Sequence, residues 1–231
     1  MKRLPPGQRL RTDFPRFGLL QYAKRFPAAP HSTALTLGGD TLEAVTLVAP
    51  LRETARVSQS SDFHCVTTWS HQNLPWEGVR FSDFYREHVV PRLKKGMQVR
   101  IVQLRGQDGY RTQLPLCDLL DDEVLIADRL HGLPLGIDHG APLRLVAPAH
   151  YGYKQVKHLA GIEFWQDAPA LKRGHLAFMD HPRGRVACEE RGRWIPGMVL
   201  RYLYRPLIAM AAKRFAAALS KYQAGATDWI A

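Results

Sequence analysis

The chain has 231 residues, 45% hydrophobic and 23% charged, the balance expected of a globular protein with a substantial core. No apolar run reaches the roughly 18 residues of a transmembrane helix. Three cysteines, Cys65, Cys117 and Cys188, without a CxxC pair argue against a disulfide framework or a structural zinc site. The net charge of +11 predicts attraction to anions such as nucleic acid, an anionic membrane face or a phosphorylated cofactor, although a solvated basic face accounts for most of the excess.

The start, Met1-Lys2-Arg3, is basic but is followed by no apolar stretch or small-residue cleavage site, so a cytoplasmic protein is expected, or a periplasmic one if the N-terminus is processed. Residues 1–30, with Pro5, Pro6, Pro15, Pro27 and Pro30, read as an extended arm packed on the body through Phe14, Phe17 and Tyr22. Ala34–Leu37 and Leu42–Val48 read as strands joined at Gly38-Gly39-Asp40, a hairpin turn signal. A strand runs through Val57 to Cys65. A helix follows, capped by Ser82 or Asp83, ending near Gly96 and kinked or interrupted at Pro91.

Val99–Leu104 is a predicted strand turned by Gln107-Asp108-Gly109, Leu116–Leu120 a helical turn, and Val124–Ala127 and Leu143–Ala147 further strands. Tyr151 to Leu159 reads as a short helix and Ile162–Trp165 as a strand. The order predicts an α+β core over 31–170 and not a regular βαβ repeat. In 171–231, an Arg-, Gly- and Pro-rich loop from Gly174 to Gly197 precedes an amphipathic helical tail. Its apolar stripe runs through Val199, Leu203, Leu207, Met210, Ala211, Phe215, Leu219 and Tyr222, with Pro206 either breaking the helix or opening its longer half. The stripe is expected to dock on the core. The basic residues Arg201, Arg205, Lys213, Arg214 and Lys221 make peripheral membrane contact the competing use.

Chemistry concentrates in Asp62-Phe63-His64-Cys65-Val66-Thr67-Thr68-Trp69-Ser70. Cys65 has three readings: a buried small hydrophobe, a nucleophile activated by His64, or a soft-metal ligand. Strand neighbours point to opposite faces, which places His64 poorly for activating Cys65. A metal would have to bring its other ligands, as one held in an organic cofactor does. A second constellation is His139-Gly140-Ala141-Pro142-Leu143-Arg144 with Tyr151 to Lys157. Arg144 in an apolar run calls for an anionic partner or a solvent route, and Lys154 and Lys157 on one helical face would suit a phosphate. A surface turn with routine lysines is the equally weighted alternative.

The first segment, followed by Trp76-Glu77-Gly78-Val79, resembles the molybdenum-cysteine segment of the sulfite oxidase superfamily. Asp108-Gly109-Tyr110-Arg111-Thr112-Gln113-Leu114-Pro115-Leu116 resembles its next block, and His139 through Pro148 to Tyr151-Gly152-Tyr153-Lys154 and Lys157 its pterin-binding segment. The similarity is closest to the bacterial branch that includes the methionine sulfoxide reductase catalytic subunit. It implies a mixed-sheet fold that holds molybdenum-molybdopterin (Mo-MPT), in the form without a nucleotide, with the Cys65 thiolate on the metal. It implies that Arg144 with Gln155-Val156-Lys157 holds the pterin phosphate, with Lys154 beside them. His64 and His139 fall at polar cofactor contacts, and Asp13-Phe14-Pro15-Arg16-Phe17 resembles the family's N-terminal pterin-contacting segment, bringing in Phe14 and Arg16.

The implied chemistry is oxygen-atom transfer to or from a small-molecule substrate, reset by an electron-transfer partner such as a cytochrome, a flavoprotein or a quinone-linked protein. Tyr110 and Thr67, with Trp69 and Arg105, are the substrate-pocket candidates. For each, packing or a surface place is an equal alternative, and Trp69 and Trp76 fit a core. The departures are specific. Ser58-Gln59-Ser60-Ser61 stands where sulfite oxidases carry an arginine before the cysteine. Thr67 stands where the methionine sulfoxide reductase branch tends to have glutamate, and Gln103 aligns with a family threonine. No counterpart of the immunoglobulin-like dimerisation domain or of a cytochrome b5 domain is expected. A basic nucleic-acid-binding protein is the rival from composition, without an RRM, OB or helix-turn-helix signature to support it. A cysteine-dependent thiol enzyme and a metal-free binding protein on the same fold are the remaining alternatives.

Overall fold

A computed structural model describes residues 3–167, 169–171 and 174–225. The arm holds one short strand, β1 (Arg9–Leu10), and β2 (Leu35–Gly38) pairs with β3 (Val45–Leu47) as an antiparallel hairpin. The long hairpin β4 (Arg56–His64) and β5 (Trp69–Arg80) leads into helix α1 (Phe81–Phe84), after which β6 (Ile101–Gly106) and β7 (Arg111–Pro115) form a further hairpin. Helix α2 (Leu116–Leu119), strands β8 (Leu125–Leu130), β9 (Leu133–Pro134), β10 (Arg144–Val146) and β11 (Leu159–Trp165), and helices α3 (Gly197–Tyr204) and α4 (Leu207–Gln223) complete the order.

Two mixed sheets result. One places β5 between β4 on one edge and β1 and β8 on the other, with β10 and β9 pairing β8. The second runs β3-β2-β11-β6-β7, with β2 and β11 parallel. The main core packs Leu35, Leu37, Val102, Leu104, Ile162 and Phe164 of the second sheet against Val79, Ile126, Leu145 and α1. Each such side chain removed from water contributes about 1.5–3 kcal/mol. A second cluster gathers Phe63, Cys65, Trp69, Leu74 and Trp76 around the β4–β5 hairpin, with Phe14 and Phe17 of the arm laid over it. The two tryptophans are core residues, and the arm is packed down.

The sequence expectations differ from the fold at several places. Neither Ser82 nor Asp83 caps the helix: α1 starts at Phe81 after an extended Arg80, widens into a π turn over Tyr85–Val89, and ends in a 3-10 turn at Val90–Arg92, short of Gly96. Pro91 lacks the N–H that a continuing helix requires. Tyr151 to Leu159 is not a helix. Only Gly152–Lys154 make a 3-10 turn, because Gln155 leaves helical geometry (ψ 85) and His158 turns left-handed (φ 54). Lys154 and Lys157 therefore share no helical face. The Gly174–Gly197 segment contains a 3-10 helix, Gly174–Met179.

Strands β5 and β7 were not expected from the pattern. In β5, Gly78 is required by proximity: a Cβ there would stand 2.2 Å from the carbonyl oxygen of Ile126 in the neighbouring strand. Pro206 separates α3 from α4; the expected stripe docks in α4, through Ala211, Phe215, Leu219 and Tyr222, but not in α3 or at the start of α4. Leu200, Tyr204, Ala211, Phe215 and Ala218 are buried, whereas Val199, Leu203, Leu207 and Met210 face solvent. Residues 226–231 of the expected tail lie outside the described residues.

Candidate active site

Cys65 leaves the strand one residue after β4 ends and opens the tight turn 65–68. Its N–H donates to the carbonyl of Trp69 at 2.8 Å, and its carbonyl accepts from the N–H of Thr68 at 3.1 Å. Thr68 takes a left-handed backbone (φ 82) to close the turn. The thiol is buried, with Sγ 3.1 Å from Thr67 Oγ1. Burial pushes the thiol up, and the Thr67 hydroxyl and the charges of Arg191 and Lys157 oppose it. His64 is engaged elsewhere: Nδ1 meets Ser70 Oγ at 2.7 Å, and Ser70 Oγ donates to Gln8 Oε1 at 3.0 Å. Gln8 Nε2 in turn donates to the carbonyl of Cys65 at 3.1 Å. His64 thus braces the hairpin base and is not the base of a Cys–His pair.

The turn forms one wall of an open cleft. Cys65, Thr67, Tyr110, Arg16, Gln155 and Lys157 all line it. The apolar walls come from Phe17, Leu19, Phe63, Met179 and Phe215. Tyr110 donates its hydroxyl to the carbonyl of Tyr153 at 2.5 Å. Gln155 is fixed by donating to the carbonyls of Ala147 (3.1 Å) and His150 (3.0 Å). Asp108, beside Tyr110, accepts from the Tyr110 N–H at 3.0 Å, and burial pushes its carboxyl up.

Arg16 and Lys157 are the cations that line the cleft, whereas Arg144 and His139 do not reach its wall. Lys157 is half-buried, and Nζ donates to the carbonyl of Asp138 at 2.8 Å. Burial, followed by the charges of Arg144 and Arg16, lowers its pKa to about 7. Arg16 is lowered to about 10 by burial and donates to the carbonyls of Ala23 (2.6 Å) and Arg25 (2.8 Å). Arg144, fully buried in β10 and lowered to about 9 by burial, donates to the carbonyl of His139 at 2.9 Å and lies 4.7 Å over the Trp76 ring. Arg144 meets no carboxylate in these contacts, and its Nη2 and His139 Nδ1 have no hydrogen-bond partner among the described residues. His139 is held neutral by burial, with a pKa of about 4, and stacks on Phe14 at 4.7 Å. Gly140 (φ 107) lets the chain turn against Lys157, whose Cβ would lie 3.0 Å from any Cβ added there. Desolvated cations with unused donors are complementary to a dianion such as a phosphate monoester.

Other expected residues stand apart. Lys154 does not line the cleft: Nζ donates to the carbonyl of Gln113 at 3.0 Å and to Asp180 at 3.2 Å. Val156 puts its side chain in the main core, while its carbonyl accepts from the Leu145 N–H at 2.9 Å. Arg105 lies against Gly161, and Gln103 donates to Glu163 at 2.7 Å within the second sheet. Cys117 and Cys188 are exposed free thiols.

Three contributors carried no sequence signal of their role. Gln8 comes from the proline-rich arm. Phe215 is one of several apolar residues in the tail. Arg191 belongs to the basic run yet is fully buried, donating to the carbonyls of Val66 (2.5 Å) and Pro6 (2.9 Å). Among the described residues no three His, Cys, Asp or Glu side chains cluster as a metal site, so a metal at Cys65 brings its other ligands.

Residues 25–171 match the family described as oxidoreductase molybdopterin binding domain. The chain is 35% identical over 143 residues to the uncharacterized oxidoreductase YuiH of Bacillus subtilis (strain 168), covering 60% of this chain and 67% of that protein. It is 31% identical over 153 residues to the protein-methionine-sulfoxide reductase catalytic subunit MsrP of Xanthomonas campestris pv. campestris, covering 55% of this chain and 46% of that one. The sulfane dehydrogenase SoxCD from Paracoccus pantotrophus shares the fold, with a TM-score of 0.54 and 20% identity over 66% of this chain and 43% of its own. The chain thus spans less than half the length of the MsrP relative. The β4–β5 turn, Tyr110 and the cationic cluster except Arg16 fall inside the matched span, whereas Gln8, Arg16, Arg191 and Phe215 fall outside it.

Proposed function

Since the chain belongs to the oxidoreductase molybdopterin binding domain family, we propose that Cys65 is the protein ligand to the molybdenum of a bound Mo-MPT and that the enzyme transfers an oxygen atom to or from a small uncharged oxo compound of the sulfoxide type. One observation carries the reading: a soft thiol and two cations, Lys157 and Arg16, line a single cleft, the two anchors that a phosphorylated metal pterin requires. Lys157, Arg144 and Arg16 would hold the phosphate, with His139 and Gln155 as neutral contacts. When bound, the cofactor supplies two-electron oxygen-atom exchange.

The chain's own residues supply the rest. Thr67 steadies the sulfur of Cys65, and Gln8 and Arg191 fix the backbone of its turn. Phe17, Phe63 and Phe215 keep the approach to Cys65 apolar, which favours an uncharged substrate over an oxyanion. Arg56 offers no alternative anion site, since both its Nη atoms bond Asp128. Reduction of a sulfoxide consumes two electrons and two protons and releases a sulfide and water. Asp108, with its raised pKa, is placed to hold a proton at the cleft wall. An electron-transfer partner supplies or removes the electrons.

The test is protein from a host that makes the cofactor, assayed for molybdenum, released pterin and sulfoxide reduction by a reduced dye. We expect stoichiometric metal and pterin, and a Cys65→Ser variant that folds but loses activity by roughly a thousandfold or more. Protein purified without molybdenum or pterin, or an active Cys65→Ser variant, overturns the assignment.

A further inference from the structure

We propose that the outward face of α3 and of the start of α4 docks on an anionic lipid surface. Of the twelve large hydrophobic residues exposed on the described chain, seven fall between Trp194 and Met210. In α3 the buried side is Leu200 and Tyr204, yet the opposite side is apolar as well: Met198 (61% exposed), Val199 (49%), Tyr202 (62%) and Leu203 (58%). A surface helix normally shows water a polar face. Leu207 and Met210 extend this strip along α4 beyond Pro206, and Trp194, 76% exposed, stands at its other end. A contiguous strip of this kind is an interaction surface and not scattered exposure.

Charge identifies the occupant. From Arg191 to Thr227 the sequence contains no aspartate or glutamate, while Arg193, Lys213 and Arg214 stand exposed beside the strip. Lys213 and Arg214 follow Met210 by three and four residues, so they flank it on the same side of α4. Arg193 lies 5.8 Å from the Trp194 ring and Arg205 lies 5.1 Å from the Tyr202 ring, pairing cations with interfacial aromatics. Apolar side chains with a tryptophan and a tyrosine, flanked by Arg193, Arg205, Lys213 and Arg214, match the acyl boundary and phosphate headgroups of an anionic leaflet. The attachment is peripheral, because no helix among the described residues is long and apolar enough to cross a membrane. The other side of α4 carries Phe215, a wall of the cleft, so docking would set that wall beside the bilayer.

The test uses the full chain and sedimentation with vesicles, either of phosphatidylcholine alone or with about a third phosphatidylglycerol. We expect binding to the anionic vesicles at least roughly tenfold above the neutral ones, weakening as salt rises. Met198→Ser/Leu203→Ser and Lys213→Glu/Arg214→Glu should each reduce it by roughly tenfold, with unchanged melting temperature. If the serine variant fails to fold, the charge-reversal variant decides alone. Absence of vesicle binding, equal binding to both vesicle types, or variants that bind like the parent each overturn the proposal. A dimer in solution that the serine variant splits, without vesicle binding, overturns it too and assigns the face to a second copy of the chain.

Discussion

Arg191 Nη1 donates to the carbonyl oxygen of Val66 at 2.5 Å, so a residue far along the chain holds the turn that presents Cys65. The same guanidinium donates to the carbonyl of Pro6 at 2.9 Å and meets Glu189 at 3.2 Å, tying both terminal segments to that turn. Replacing Arg191 with Met leaves the carbonyls of Val66 and Pro6 without this donor and shifts Glu189 onto Arg201 alone. The expected cost is about 3 kcal/mol, read as a drop in the urea midpoint at unchanged slope. A variant within a few tenths of a kcal/mol of the parent would show that water or the Gln8 bond holds the turn without Arg191.

Lys157 makes stability depend on pH in a definite direction. Its unfolded value is near 10.5 and its folded value about 7, so between these the unfolded chain binds more protons than the folded one. Stability of the cofactor-free protein therefore rises with pH from about 7 upward, while below that the full cost of burying the ammonium is present. Urea midpoints at rising pH should climb for the parent and be flatter for Lys157→Met. Parallel profiles would remove Lys157 from the account. Inorganic pyrophosphate should raise the parent's melting temperature at neutral pH and raise that of Lys157→Met less, since anion binding favours the charged lysine.

Gly152 illustrates what the sequence conveyed and what it withheld. The block Tyr151 to Lys157 is an expected anion-binding segment in the sequence, and Lys157 with Gln155 lines the cleft. Its shape was not legible. A Cβ at Gly152 would lie 2.3 Å from Phe63 Cζ, a contact across the fold that no local pattern encodes. Strand β5 was hidden for a related reason: His71-Gln72-Asn73 and Pro75 interrupt the alternation that marks a strand, and the register comes from β4 and β8. Cys65, Thr67 and Tyr110 line one cleft, the first two from the β4–β5 turn and Tyr110 from the β6–β7 turn. Arg191 and Gln8 reach the site only through the packing of segments that follow no family pattern.

The Gly152 contact is testable. Gly152→Ala should push Phe63 off its packing against Phe14 (5.0 Å between centroids) and Trp69 (5.4 Å), costing about 1–3 kcal/mol. Adding Phe63→Leu should recover part of that loss, giving a favourable coupling in a double-mutant cycle. Strict additivity of the two variants would mean that the backbone, and not the ring, absorbs the new methyl group.

Arg144 separates function from stability. Its guanidinium is fully buried and pushed down to about 9, and it makes a single short hydrogen bond, to the carbonyl of His139. Contact with the Trp76 ring at 4.7 Å offsets part of the desolvation, and Nη2 has no partner among the described residues. Burying a charge on these terms costs stability, so Arg144→Met, which keeps the packing volume and removes the charge, should leave the cofactor-free protein as stable as the parent or more so. Relieving the repulsion felt by Lys157 adds to that effect, since Arg144 is the largest charge lowering the lysine's pKa. Stabilisation by pyrophosphate should fall, and retention of pterin in protein from a cofactor-making host should fall with it. Thermal melts with and without pyrophosphate read both effects. A less stable Arg144→Met variant that keeps its pyrophosphate response would make Arg144 a structural strut and leave anion binding to Lys157 and Arg16.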